Sequence, residues 1–305
     1  MSDRLDDYVD GVFKPYEGAK SITELKADLL ADLHERYRDL KAEGKDDATA
    51  FDLTVDSIGD IEQTVQEVSN LSHSLQRKLV TRFSASDLRN GDFSGTSVPN
   101  GTFSASDLRN SNFAGASAPG GKFTSSDLSG STFTRADLTG ASFRTSDASD
   151  TTFDEANLTD ATMTVMELAR SSFRGAILVR TDFSKSGLAD TRFAEIALTD
   201  VKMRTTDLRK TVFENCAFTG VDFSYSDLRG LNFAGAAFTS VRFDRAALNG
   251  LSFRGAILRD VSFHSWSRKY RTAMRTVDFG GARMDKLTYA GLKGQGADLP
   301  TVIVE

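Results

Sequence analysis

An apolar residue recurs at every fifth position from Phe83 to Phe263 without one insertion, which makes 37 consecutive five-residue units. A small or aliphatic residue stands two positions earlier, for example Ala136 and Ala156. A period of five matches neither the 3.6-residue repeat of a helix nor the two-residue alternation of a strand. The chain must therefore turn a corner in every unit, so that two side chains point inward and three point outward or shape the turn.

Four units close a square coil, and the next coil pairs with it at the usual inter-strand spacing of about 4.8 Å. The repeat then makes about nine coils over roughly 45 Å. Segments such as Ala136-Asp137-Leu138-Thr139-Gly140 resemble the pentapeptide-repeat family, whose signature is Ala-(Asp/Asn)-Leu-X-X. The resemblance implies a mainly β fold for residues 81–263, a right-handed quadrilateral parallel β-helix.

Two kinds of core residue alternate along the repeat. Central positions ending in 3 are Phe except Met163 and Met203, and those ending in 8 are mostly Leu. Units two apart lie on opposite faces, so Phe ladders should line two faces and Leu ladders the other two. Burying each ring contributes about 1.5–3 kcal/mol, which predicts a packed axis with no room for a ligand. The predicted core ladder includes Phe83, Phe103, Phe123, Phe143, Phe173, Phe193, Phe213, Phe233 and Phe253.

Residues 1–80 lack the five-residue period and predict a small α-helical domain. Apolar stripes indicate a short first helix and a second that follows a capping box at Ser21–Glu24 and stops at Gly44. A third helix is expected from Asp47 to Ile58 and a fourth from Asp60 to Gln76.

The run Glu24–Tyr37, with Ala42–Gly44 and Ile58–Asp60, resembles the permease-prefix, or HAAS, type of helical signalling domain. That resemblance implies a link to PadR-like transcription regulators. Such domains often precede membrane spans, but no stretch here approaches the roughly 20 apolar residues that a span needs. Two interpretations stay open: a soluble signalling adaptor, or helices that cap the open end of the solenoid.

Residues 264–305 break the period. Phe263 and Phe279 are 16 residues apart, or three units plus one, which predicts a register slip of one residue at His264–Thr276. Irregular final coils and a C-terminal cap should follow. The tail Leu299–Glu305 is predicted to form a final strand or a dimer edge, since a bare coil end invites pairing. A homodimer through the C-terminal end is thus one expected partner.

The slip segment mixes basic and aromatic residues. Such residues can grip phosphates and stack on bases. The alternative is a short helix that packs Trp266 over the last coil and leaves its charged side chains in water. We favour this alternative. Nucleic acid is therefore not an expected partner. The candidate interaction residues are Trp266, Arg268, Lys269, Tyr270, Arg271 and Arg275.

The residues that usually carry chemistry are sparse. None of the three histidines has a neighbouring cysteine or a carboxylate at metal-ligating spacing. Cys216 is the single cysteine, which excludes an intrachain disulfide and suggests a reducing compartment, the cytoplasm. It occupies an inward position, so a catalytic role is not expected. The sequence predicts no catalytic residue, metal or cofactor.

Charge decides between the two functions that we consider. The net charge of −6 resides in residues 1–80, at −8, while residues 81–263 carry −1 and residues 264–305 carry +3. One function that the resemblance to the pentapeptide-repeat family implies is that of a DNA mimic. Such a protein protects or inhibits DNA gyrase or another topoisomerase and so gives antibiotic or toxin resistance. That role asks for a strongly acidic rod. The Asp column at positions 87, 107, 127 and 147 has Arg two residues on at Arg89 and Arg109. We therefore predict a non-enzymatic protein-interaction scaffold.

Overall fold

The computed structural model describes residues 3–14, 20–59, 61 and 82–305. The chain forms two compact units, residues 1–80 and 81–305. The first unit contains helices α1 (Asp3–Phe13), α2 (Lys20–Ala42) and α3 (Asp47–Asp56).

Helices α1 and α2 share a small apolar core that includes Val9, Phe13 and Leu33. Helix α3 meets α1 where the ring of Phe51 contacts that of Tyr8 edge-on, with centroids 6.5 Å apart. Gly44 has a φ of +87° just after α2, as expected of the glycine that ends a helix. The predicted capping box is wrong: Ser21 lies inside α2, whereas a capping residue has non-helical backbone. The fourth predicted helix lies, from residue 62 onward, outside the described residues.

The second unit is a parallel β-solenoid. From the pairing of Arg82 with Thr102 to that of Arg242 with Ser262, the residues that directly precede the central apolar positions pair in parallel with residues 20 positions later, which is four units. Some of these pairings lengthen into short strands. They are β1 (Leu178–Val179), β2 (Arg192–Ala194), β3 (Ala197–Thr199), β4 (Val212–Glu214), β5 (Ala217–Thr219), β6 (Ala237–Thr239), β7 (Ile257–Arg259), β8 (Arg283–Met284) and β9 (Ile303–Val304). A seven-stranded sheet runs β1-β3-β5-β6-β7-β8-β9, and β2 pairs with β4.

The corners come from one residue in five that adopts a left-handed backbone. Asn90, Gly95 and Asn100 have φ of +57°, +63° and +57°. A backbone hydrogen bond closes the turn, as from the Ala116 amide to the Phe113 carbonyl at 3.0 Å. Gly and Asn suit this position because a bulkier residue pays about 1–2 kcal/mol there.

Two stacked ladders of rings fill the axis, as the alternation predicts. One ladder stacks Phe103 on Phe123 with centroids 4.9 Å apart and planes 2° from parallel. The other stacks Phe113 on Phe133 at 4.8 Å, and Phe123 meets Phe133 edge-on. The predicted core phenylalanines divide between them. Phe83, Phe103, Phe123 and Phe143 belong to the first ladder, and Phe173, Phe193, Phe213, Phe233 and Phe253 belong to the second.

Many of the small inward positions hold buried hydroxyls. Ser126 donates its Oγ–H to the Phe103 carbonyl at 2.7 Å and accepts the Ser106 amide at 3.3 Å. Thr181 repeats the first of these bonds with Leu158. These hydroxyls satisfy backbone groups that the corner leaves between coils, which explains why Ser and Thr are tolerated inside the solenoid.

We predict that Phe173→Ala lowers the free energy of unfolding by about 3–5 kcal/mol, because truncating a buried Phe removes burial and leaves a cavity. Phe173 is fully buried between Phe153 and Phe193, with centroids at 5.0 and 4.9 Å. Urea denaturation followed by circular dichroism measures the loss. The matched control is Phe83→Ala in the half-buried first coil, which should cost less. Equal losses for the two variants would contradict the burial of the stacked rings as the main source of stability.

Candidate interaction site

The break in the period is an insertion of six residues rather than a slip of one. Ser252 pairs with Asp278, 26 positions later, where earlier coils repeat after 20. Phe279 stacks on Phe253 with centroids 5.5 Å apart and thus extends the second ladder. The sequence spacing defines the offset only modulo five, so it did not distinguish one extra residue from six. The extra residues allow a helix, α4 (Arg268–Met274), to replace one side of a coil.

Tyr270 anchors α4 to the solenoid. Its side chain is buried, and its hydroxyl donates to the Phe243 carbonyl at 3.1 Å. Burial, with a smaller contribution from the nearby Asp244 carboxylate, raises the pKa of Tyr270 well above its usual range. The ring is therefore a neutral anchor and is not available to stack on a ligand, contrary to one interpretation of the sequence.

Of the two aromatic candidates in this segment, Trp266 is the exposed one. We expected Trp266 to pack over the last coil, and that expectation is wrong, since 79% of this residue is exposed. Trp266 precedes the N-terminal cap Ser267 and lies outside the helical face that Tyr270, Ala273 and Met274 bury. Its indole meets only the His264 ring among the described aromatic rings, edge-on at 4.9 Å. A large apolar side chain is thus held at the surface.

The four basic candidates of this segment are all on the surface. Arg268, Lys269, Arg271 and Arg275 are exposed. Within the part of the chain that the structure describes, none of them forms an ion pair with a carboxylate. The structure therefore places five of the six candidate residues at the surface and one inside.

A groove of about 600 Å³ opens between α4 and the solenoid wall. Tyr270 and Ala246 lie at its buried side, and Trp266, Lys269 and Arg245 line its exposed side.

Across the groove from α4, Arg245 lies against Tyr225, a half-exposed residue that stands 20 positions earlier at the same corner. The Arg245 Nη1–H donates to the Tyr225 hydroxyl at 3.0 Å, and its guanidinium carbon is 5.4 Å from the ring centroid. Sequence reasoning missed both residues. Aligning the repeat with a period of 20 would have placed them side by side, in the two coils before Ser265.

The remaining reactive groups are occupied structurally. Cys216 is buried, with its Sγ 3.4 Å from the carbonyl oxygens of Phe193 and Glu214, and burial raises the pKa of its thiol to about 11. A thiol in this state is a poor nucleophile. Among the described residues, no group of three or more His, Cys, Asp or Glu is arranged to hold a metal ion.

The column of Asp residues is partly neutralised along the wall. Arg89 forms a two-pronged hydrogen bond with Asp87 at 2.8 and 2.6 Å, and its Nε lies 3.6 Å from the next carboxylate, Asp107. The Arg89 side chain, and then its backbone amide, lower the pKa of Asp87 to about 2. Asp137 caps its own turn by accepting the Thr139 amide at 3.2 Å, as expected for Asp at corners.

Comparison with known proteins agrees with the fold. The family model described as a pentapeptide repeat region matches residues 166–237. The model described as pentapeptide repeats (8 copies) matches residues 102–135, 126–164 and 223–260. The chain therefore belongs to the pentapeptide-repeat family. Membership implies right-handed coiling for the parallel solenoid.

Several solved structures are similar to this chain. HetL, a pentapeptide repeat protein involved in heterocyst differentiation regulation in the cyanobacterium Nostoc, is 17% identical; the match covers 68% of this chain and 91% of HetL, with a TM-score of 0.45. QnrB1, a plasmid-mediated fluoroquinolone resistance protein, is 20% identical in a trypsin-treated form, with coverages of 70% and 93% and a TM-score of 0.32. A pentapeptide repeat protein from the Arabidopsis thaliana thylakoid lumen is 31% identical over 38% of this chain and 68% of its own length, with a TM-score of 0.18.

No curated protein matches the chain. Among the described helices, none has both the length and the apolar character needed to cross a membrane.

Proposed function

We propose that this chain is a non-enzymatic scaffold that binds a protein partner through the groove beside α4. The observation that carries the proposal is Trp266, which is 79% exposed at the edge of that groove on a rigid solenoid. Aromatic and arginine side chains supply most hot spots of protein interfaces, and both kinds line this groove. A packed axis and a buried, protonated Cys216 thiol support a role in binding rather than in catalysis.

The groove favours a partner of defined chemistry. Ala246, Ala273 and Tyr270 offer an apolar wall, and Arg245 and Lys269 add positive charge beside it. A partner segment that inserts an apolar side chain and carries a nearby carboxylate would complement both. The carboxylate would form an ion pair with the Lys269 ammonium, which has no carboxylate partner among the described residues.

We further propose that the N-terminal unit makes a second contact with the partner. Its charge of −8 differs sharply from the rest of the chain, and its resemblance to permease-prefix domains makes a PadR-like regulator the first candidate. The alternative, in which these helices only cap the solenoid, predicts no partner that needs them.

We predict that Trp266→Ala weakens binding of the partner about 30-fold, because a hot-spot tryptophan contributes at least about 2 kcal/mol. Affinity capture from the native cytoplasm with quantitative mass spectrometry identifies the partner, and calorimetry with the purified partner gives the Kd. The matched control is Leu287→Ala, which removes another exposed apolar side chain, 73% exposed, outside this groove. Residues 81–305 alone serve as the second arm and report on the N-terminal contact.

If Trp266→Ala and Leu287→Ala lose the same proteins, or if neither variant loses any protein, the groove is not the binding site. A partner that is retained by residues 81–305 with unchanged Kd would assign the N-terminal helices to capping.

The topoisomerase role is the alternative within the family, and the wall chemistry argues against it. A mimic of duplex DNA needs free negative charge, whereas four members of the Asp column, Asp87, Asp107, Asp207 and Asp227, are each paired with the arginine two residues later. We predict that the purified protein at micromolar concentration neither inhibits gyrase supercoiling nor rescues it from ciprofloxacin. Rescue in a gel-based supercoiling assay, with bovine serum albumin as the inert control, would establish the alternative.

We propose that the C-terminal end pairs with a second copy of the chain. Strand β9 is the last in its sheet and hydrogen-bonds only to β8 among the described strands. Ile303 and Val304 on it are 53% and 42% exposed, and an apolar edge of this kind invites pairing. We predict a concentration-dependent dimer in sedimentation equilibrium that Ile303→Lys abolishes and Leu287→Lys does not. A wild-type monomer at every concentration would refute this pairing.

A further inference from the structure

One side of the solenoid differs from the other three in its charges. It is made of residues 121–125 and the segments that follow at intervals of 20, to 261–265, and we call it the basic face. It carries three Asp and seven Lys or Arg residues. The cations are Lys122, Arg144, Lys185, Lys202, Arg204, Arg242 and Arg245.

The cations of the basic face are left without carboxylate partners, and those of the other sides are not. On the other three sides, between residues 86 and 260, all twelve Lys and Arg lie within 4.0 Å of a carboxylate. On the basic face only Arg204 does, at 3.5 Å from Asp222. The other six form no ion pair with any residue that the structure describes, although all are exposed. The acidic residues that pair with cations on the other three sides are scarce on this face. The unpaired cations are therefore a property of the basic face.

The three acids of the basic face are turned toward the backbone. Asp182 accepts the Ser184 amide at 2.9 Å, and Asp222 accepts the Ser224 amide at 2.9 Å. Asp244 accepts from the Ser262 hydroxyl and the His264 amide at 2.8 and 2.6 Å. All three are half-buried, so the charge that this face presents to a partner is positive.

The shape and composition of the basic face fit a phosphate backbone better than a protein. Lys122 and Arg242 are six coils apart in one column, or about 30 Å at about 4.8 Å per coil. Ser and Thr occupy most of the outward positions between the cations, and their hydroxyls also hydrogen-bond to phosphate oxygens. The large apolar or aromatic residues exposed on this face are only Val165 and Tyr225, which is too few for the apolar core of a protein interface.

We propose that the basic face binds a single-stranded nucleic acid, with its cations on the phosphates. Tyr225 favours a single strand over a duplex, because the residue is 48% exposed and its ring offers a surface on which an unpaired base stacks. The guanidinium carbons of Arg204 and Arg245 lie 5.9 and 5.4 Å from the ring centroid, which places cations for the phosphates beside this stacking surface. The proposal does not rest on the protein partner proposed above. It also differs from the sequence-based expectation that nucleic acid is not a partner, and it arises in a repeat whose net charge is only −1.

The test uses the full-length protein and fluorescence anisotropy with a labelled 30-nucleotide DNA strand of mixed sequence, an RNA of the same sequence and the matching duplex. We expect the affinity for the strand to fall with salt with a logarithmic slope of roughly −3, as for about four neutralised phosphates. The variant Lys185→Glu, Lys202→Glu, Arg242→Glu should raise its Kd about 100-fold at 50 mM salt. Tyr225→Ser should raise the Kd about tenfold and leave the slope unchanged, because stacking releases no counterions.

The matched control is Arg135→Glu, Arg174→Glu, Arg254→Glu on the opposite side, which changes the net charge equally and should alter the Kd less than threefold, because charges across the rod are screened at moderate salt. Circular dichroism and thermal melting confirm that both triple variants fold. Equal losses for the two triples would show attraction by net charge alone and overturn the proposal. So would tighter binding of the duplex than of the strand, or binding of a labelled poly-glutamate peptide in place of both; the last result would assign the face to an acidic protein.

Discussion

The left-handed backbone of every fifth residue is the constraint on which the rest of this solenoid depends. Among the described residues it recurs at 25 positions that are not glycine, with φ near +60°. For residues other than Asn and Asp, this conformation costs about 1–2 kcal/mol in isolation. That cost is tolerated because the corner aligns each coil with the next, so that backbone pairs form at every side and a ring from each Phe-bearing unit reaches the axis. Where side chains are bulky, as at Val165 with φ of +58°, the corner is retained because its neighbours in the stack enforce it.

A second consequence of the corner is that surface chemistry is organised in columns. A side chain that points outward has its nearest lateral neighbours 20 residues before and after it. Arg135 with Glu155, and Arg170 with Asp150, pair across that interval. The charge that a partner meets is therefore set by one column or one side and not by the total. A repeat with a net charge of −1 can present a positive wall, because its negative charges are paired on other sides or turned into corners.

The sequence predicts the periodic part well, because every unit obeys the same steric rule. The two ladders, the inward position of Cys216 and the turn-capping role of Asp137 follow from counting in fives and twenties. The aperiodic part was predicted less well. The length of the insertion was ambiguous because 16 residues fit more than one path, and the roles of Trp266 and Tyr270 depend on where α4 begins. The spacing of four residues between Trp266 and Tyr270 does not determine which residues of a seven-residue helix are buried. The basic face could have been predicted from the sequence, but only by summing the charge over each side of the solenoid rather than over the whole repeat.

The two proposed surfaces meet at one corner. Tyr225 and Arg245 line the groove beside α4 and also belong to the basic face. Lys122 and Arg144 lie several coils away on the basic face and do not line the groove. A protein segment seated in the groove would therefore cover the proposed stacking platform and leave the distant cations exposed. A strand held by the whole face would in turn take Arg245 from the groove. On this geometry the partner and the strand compete at the C-terminal end of the solenoid, although most of the contacts of each are separate, and the competition arises because the insertion that creates α4 falls beside that corner.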